Sequence, residues 1–184
     1  MEAQMNNWLV ENNEVAFRAH TGLAVHKQKV RLPNGRKVSD FYQICMDDFV
    51  SIVALTTCQN VVVLRQYKHG VGQVALTLPG GGIEVGEEPV EAAQRELLEE
   101  TGFATNTWVP LGTYVLNGNQ RIAQSHVFLA TGCKQIQPPA AGDLEDMQVI
   151  TQPWNEVLAA LRENAFPIIS HTTALSLAAV HGVD

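Results

Sequence analysis

The residues best suited to chemistry are Glu96, Glu99 and Glu100, crowded together in the run RELLEETGF. On a helix advancing about 100° per residue, Glu96 and Glu100 stand one turn apart on a single face, and Glu99 lies within the same third of the circumference. Carboxylates at that spacing repel one another unless a cation sits among them, and an all-oxygen donor set suits a hard ion such as Mg2+ or Mn2+. Arg95 adjoins the cluster, where it can pair with Glu87 or Glu91 and hold the preceding loop against the helix. Ala92 and Ala93, one turn earlier, are expected to leave room for a bulky ligand. The competing reading is the ordinary one for a charge run, a solvated helix face.

Aiming these side chains takes a loop and a helix. Gly80, Gly81 and Gly82 follow Pro79, so the chain turns sharply where backbone can approach a ligand. Pro89 suits the first helical position, and Glu87, Glu88 and Glu91 sit near the positive end of the helix dipole. Gly102 is placed to end the helix in the left-handed conformation.

Strands are expected on both sides of this unit. The β-branched runs 50–56 and 61–67 read as central strands, and residues 74–78 lead into the glycines. Beyond the helix, 108–116 and 126–131 read as strands joined by a polar loop whose Asn119 could line a site. Residues 132–142, with Pro138 and Pro139, read as a surface linker. A strand over 147–151 and helices over 153–164 and 170–180 complete the chain.

Upstream, residues 8–10, 15–18 and 23–32 alternate, and Pro33-Asn34-Gly35-Arg36 signals a tight primed hairpin turn into 38–45. Residues 1–46 are therefore expected to form a small antiparallel sheet, and 47–184 the main domain. Such a sheet cannot bury both faces alone, so it must pack on that domain or on a second subunit. Trp8 and Phe17 read as core or interface residues, with stacking on a nucleobase as the alternative.

At 184 residues and 46% hydrophobic, the chain can bury one sizeable core. A net charge of −7 without a Lys/Arg run argues against a nucleic-acid or anionic-membrane partner. No secretory signal or long apolar run is present, and Cys45, Cys58 and Cys133 lack CxxC spacing, so a cytoplasmic protein with reduced thiols is expected. Arg65 and Lys68 stand out in a chain poor in cations; near the glycine turn they either meet anionic oxygens or salt-bridge to surface carboxylates. No GxSxG motif supports a serine nucleophile, and no HExxH pair a zinc site.

The stretch from Gly81 to Phe103, GGIEVGEEPVEAAQRELLEETGF, resembles the 23-residue signature of the Nudix hydrolases at every defined position. With LRQYKHG and LPGGGIEVGEEP, the chain further resembles the ADP-ribose and nucleoside diphosphate sugar pyrophosphatase branch over most of its length. The resemblance implies an α+β fold, an α/β/α sandwich with a mixed sheet, plus N-terminal sheets that commonly cross between the subunits of a homodimer. It implies attack by water on a P–O–P linkage with Mg2+, or Mn2+, as cofactor. Glu96, Glu99, Glu100 and the Gly80 carbonyl match the metal ligands, and Glu87 and Arg95 match the pair that braces the box. Lys68 falls where the branch often has a phosphate-contacting arginine; Arg65, Gly81, Gly82, Trp8 and Asn119, read from their own positions in the chain, are the further candidate substrate contacts. A general base often comes from a mobile loop after the box, where Asp143, Glu145 and Asp146 stand; Glu145 is the choice, and capping of the next element is the alternative.

Thr77 and Gly80 stand where ADP-ribose hydrolases commonly have Glu and Ala. The expected substrates are therefore nucleoside diphosphate sugars, with ADP-ribose leading. Dinucleoside polyphosphates, NADH or a capped RNA end are the rival substrates, and a non-catalytic nucleotide-sugar sensor is the rival class.

Overall fold

The computed structural model describes residues 7–19, 22–140 and 147–183. In chain order its elements are β1 Leu9–Arg18, β2 Ala24–Arg31, β3 Lys37–Cys45, β4 Phe49–Thr56, β5 Asn60–Lys68, β6 Gln73–Thr77, α1 Pro89–Thr101, β7 Phe103–Ala104, β8 Thr107–Asn117, β9 Arg121–Gln135, β10 Met147–Pro153, α2 Trp154–Arg162 and α3 Ile169–Val180. Contacts divide the chain into two units. The first holds the described residues up to Asp47 together with Val115–Gln124, and the second holds Asp48–Tyr114 and the residues from Ser125 onward.

In the first unit, β1, β2 and β3 form an antiparallel meander, and β3 pairs in parallel with the first residues of β9. The two short stretches expected at 8–10 and 15–18 are one strand, with register shifts where the alternation breaks, because β2 offers a continuous partner. The turn is not the primed one expected. Gly35 N–H donates to Leu32 O, Leu32 N–H donates to Arg36 O, and Gly35 alone in the turn has positive φ. Pro33 explains this, since its ring holds φ negative at the position where a primed turn needs it positive.

In the second unit, the mixed sheet has β4 parallel to β9 and antiparallel to β5, which β10 flanks on its other edge. β4 and β5 pair only at Leu55 and Val61, after which β6 replaces β4 as the partner of β5. Alternation along these strands builds two cores. Val50, Ile52, Ala54 and Val62 pack under α1, while Val53, Leu55, Val61 and Val63 pack under α2 and α3. Helices on both faces make this an α+β sandwich. The segment expected as a linker from 132 is strand as far as Gln135, because Phe103 and Ala104 pair with Gln135 and Lys134, and Cys133 pairs with Thr56. No helix among the described residues is long and apolar enough to cross a membrane.

Candidate active site

Helix α1 starts where local chemistry says it should. Pro89 is its first residue, and Glu88 and Glu91 form a reciprocal capping box. At its other end Gly102, with φ of 73°, returns its N–H to Leu98 O at 2.8 Å. Ala92 and Ala93 do not leave room for a ligand. Both are fully buried against β4 and β5 with Leu97, and their small side chains let the helix lie close to the sheet.

The glycine segment is laid along the start of β4. Pro79 O and Gly81 O accept from Ile52 N–H and Val50 N–H at 3.0 and 2.9 Å. Ile83 N–H donates to Asp48 O at 3.0 Å. On the opposite side, Gly80 N–H donates to Glu100 Oε2 at 2.8 Å, which ties the segment to the last turn of α1. A side chain at Gly80 would put Cβ 2.2 Å from Val50 O, and φ there is +154°, so the position demands glycine. At Gly81 the obstacle is different: Cβ would fall 2.3 Å from Glu96 Oε1, so the carboxylate occupies the space the glycine leaves open.

Arg95 binds the parts together. Its Nε and Nη2 donate to both oxygens of Glu87 at 2.9 Å each, Nη2 also donates to Gly82 O at 2.9 Å, and Nη1 reaches Glu96 Oε1 at 2.7 Å. A weaker contact joins Nη1 to Glu99 Oε2 at 3.4 Å. The guanidinium holds the Glu87 carboxyl below the usual carboxylate range, helped by the Glu84 N–H, and Arg95 is in turn pushed still higher by Glu87. Glu100 is buried at 7% exposure, whereas the Glu99 side chain is 51% exposed. Among the described residues no three acidic, histidine or cysteine side chains are gathered closely enough to hold a metal ion as they stand. Arg95 offsets part of the negative charge of the acidic residues around it.

The remaining expected residues are distributed as follows. Alternation on β5 puts Lys68 on the face of Val62, toward α1, and Arg65 on the face of Val63. Arg65 there lines a shallow depression of about 160 Å³ with Leu76, Asn164 and Ala165. Trp8, which sets its ring edge against Phe41 with centroids 5.4 Å apart, and Asn119, in the β8–β9 turn, both belong to the first unit. Glu145, with Asp143 and Asp146, lies outside the described residues.

Two polar residues were missed by the sequence reading. Gln66, at an inward position of β5 in line with Val62 and Leu64, donates from Nε2 to Thr77 Oγ1 at 2.8 Å and keeps a buried Oε1 without a protein partner among the described residues. A polar residue at a period-2 apolar position was the available signal. His171, in α3, accepts from the Leu78 N–H through Nδ1 at 3.2 Å, and nothing local in sequence marks it.

A model of the NUDIX domain matches residues 48–172. An ADP-ribose pyrophosphatase of Mycobacterium tuberculosis is 33% identical over 176 residues, covering 89% of this chain and 80% of the relative. An ADP-ribose pyrophosphatase of Bacillus subtilis is 29% identical, covering 79% of this chain and 74% of the relative. The crystal structure of an ADP compounds hydrolase superposes with a TM-score of 0.81 at 21% identity, over 97% of this chain and 96% of the other.

Proposed function

The chain belongs to the Nudix family, and on that footing we propose that it is a metal-dependent pyrophosphohydrolase of nucleoside diphosphate sugars, with ADP-ribose the leading substrate. The products would be a nucleoside monophosphate and a sugar phosphate, AMP and ribose 5-phosphate for ADP-ribose. The observation that carries this reading is the junction of glycine segment and helix: Glu100 on the Gly80 amide, and the Glu96 carboxylate over Gly81.

The donor set fits a hard divalent cation. Glu96, Glu99 and Glu100 offer carboxylates; the carbonyls of Pro79 and Gly81 are spent on β4, and backbone alternation would leave the Gly80 carbonyl facing away from it. All are oxygens, and once the carboxylates were drawn together Mg2+ bound there would neutralise pyrophosphate charge and lower the pKa of a coordinated water. Arg95 orients Glu96 and keeps Glu87 ionised, so the glycine segment stays pinned while the acidic residues work. Lys68 offers a cation to a phosphate oxygen. Glu145 remains the proposed general base; the chain just before it is tethered near the box, because Ala140 N–H donates to Glu99 O at 2.8 Å.

The relatives named as ADP-ribose pyrophosphatases support this substrate class. We also propose a cytoplasmic homodimer: Leu9, Val10, Val15 and Phe17 are exposed along β1, an apolar edge that a second subunit would cover. Light scattering that finds a monomer at micromolar concentration would refute the dimer. For the reaction, the protein is incubated with Mg2+ and ADP-ribose, ADP-glucose, GDP-mannose, NADH or Ap4A, and products are identified by mass spectrometry with Glu100→Gln as control. Monophosphate and sugar phosphate, lost in the control, are expected. Cleavage of Ap4A or NADH alone would discard the substrate class, and cleavage of none would favour a sensor.

A further inference from the structure

We propose that His171, outside the signature, is a positioning residue for the box: its Nδ1 accepts the Leu78 N–H at 3.2 Å and fixes the Leu78-Pro79-Gly80 backbone that meets Glu100. The inference rests on the functional reading above, in which Gly80 contributes to the metal site.

Strand β6 pairs with β5 along one edge, which leaves alternate N–H groups pointing away from it. Leu76 N–H donates to Ala165 O at 3.2 Å, Leu78 N–H to His171, and Gly80 N–H to Glu100. Pro79 between them has no N–H to give. Alternate donors along one edge are thus met by the loop before α3, by α3 itself and by α1. Leu78 is 2% exposed, so without His171 its amide would be a buried donor that has lost its acceptor.

The acceptor is rigidly presented. His171 sits in the first turn of α3, and the Thr172 hydroxyl beside it donates at 2.8 Å to the carbonyl of Phe166, a fully buried residue of the preceding loop. The ring must be neutral to accept at Nδ1, in keeping with a pKa that burial pushes down to about 4, the Lys68 charge adding to the effect.

The test compares wild type, His171→Asn, whose carbonyl oxygen mimics Nδ1, and His171→Leu, which offers no acceptor. Amide hydrogen exchange at Leu78 and Gly80, Mn2+ affinity without substrate, and the imidazole tautomer by 15N NMR are measured. The expected results are an Nε2–H tautomer in wild type and, in His171→Leu, exchange at Leu78 and Gly80 faster by about tenfold or more. Mn2+ binding should weaken by about tenfold in His171→Leu, and both effects should be largely reversed in His171→Asn. An Nδ1–H tautomer, unchanged exchange at Leu78, or an Asn variant as impaired as the Leu variant would overturn the proposal. If His171→Leu does not fold, the wild-type tautomer and the Asn variant still decide. If wild type cleaves no nucleotide, the functional reading fails while exchange and tautomer continue to judge His171.

Discussion

Arg95 takes both carboxylate oxygens of Glu87 at 2.9 Å each, across the turn that separates the glycine segment from helix α1. The fork is what lets one side chain hold Glu87, Gly82 O and Glu96 at once. A lysine carries the charge but not the planar fork. Arg95→Lys is therefore expected to fold and to lose about 10- to 100-fold in kcat/KM or metal affinity, as removal of a ligand's supporting partner does. Steady-state kinetics across a Mg2+ series checks this, and activity equal to wild type at every Mg2+ concentration would contradict it.

Glu100 and Glu99 separate two duties. Glu100→Gln keeps an oxygen to accept the Gly80 N–H, so its Tm without metal should stay near that of wild type while its charge is gone. Loss of several kcal/mol of charge stabilisation corresponds to a drop of about 100-fold or more in turnover. Mg2+ should raise the Tm of wild type and not that of Glu100→Gln. Glu99→Gln, at a half-exposed side chain, should leave metal-free stability unchanged and still lower activity. Differential scanning calorimetry with and without Mg2+ distinguishes these outcomes.

Neighbouring glycines should fail differently. Gly80→Ala drives Cβ into the backbone carbonyl of Val50, which cannot swing away, at a φ of +154°. It should cost about 1–3 kcal/mol of stability. Gly81→Ala meets only the end of the Glu96 side chain, which can rotate. That variant should retain its urea midpoint and bind Mn2+ more weakly, and the reverse pattern would show the two positions to have been misassigned.

Acid should expose His171. Its folded pKa of about 4 lies below the ordinary 6.5, so between those values the unfolded chain holds the extra proton. Stability from this group is complete above about pH 6.5, falls as pH drops toward 4 by at most about 1.4 kcal/mol per pH unit, and is lost below that. Glu87, depressed below 4.5, adds a contribution that is present above 4.5 and lost as pH falls through its folded value. In His171→Asn the decline between 6.5 and 4 should shrink while the lower one remains. Urea midpoints from pH 3.5 to 8 provide the check, and identical curves would contradict the assignment.

Features that act over one or two turns of chain were legible before any tertiary contact was known. Pro89, the Glu88 and Glu91 box and Gly102 bound helix α1 because each acts on backbone groups within four residues of it. The same short range places Glu96 and Glu100 on a common face and brings Arg95 within reach of Glu87. Even the hairpin was legible in Pro33, which admits the turn observed and excludes the primed one expected.

Tertiary structure decided the rest, because hydrogen-bonding edges and buried faces are satisfied by whichever part of the chain arrives there. Ala92 and Ala93 face the sheet rather than a ligand since α1 must bury a stripe, and with Leu97 they supply the small and apolar part of it. Strand β9 runs on to Gln135 because β7 meets its edge. Gln66 turns inward, toward Thr77, from a strand edge that β6 completes. The Leu78 amide, left facing away from β5, is met by His171 from 93 residues along the chain, a separation no local spacing could reveal.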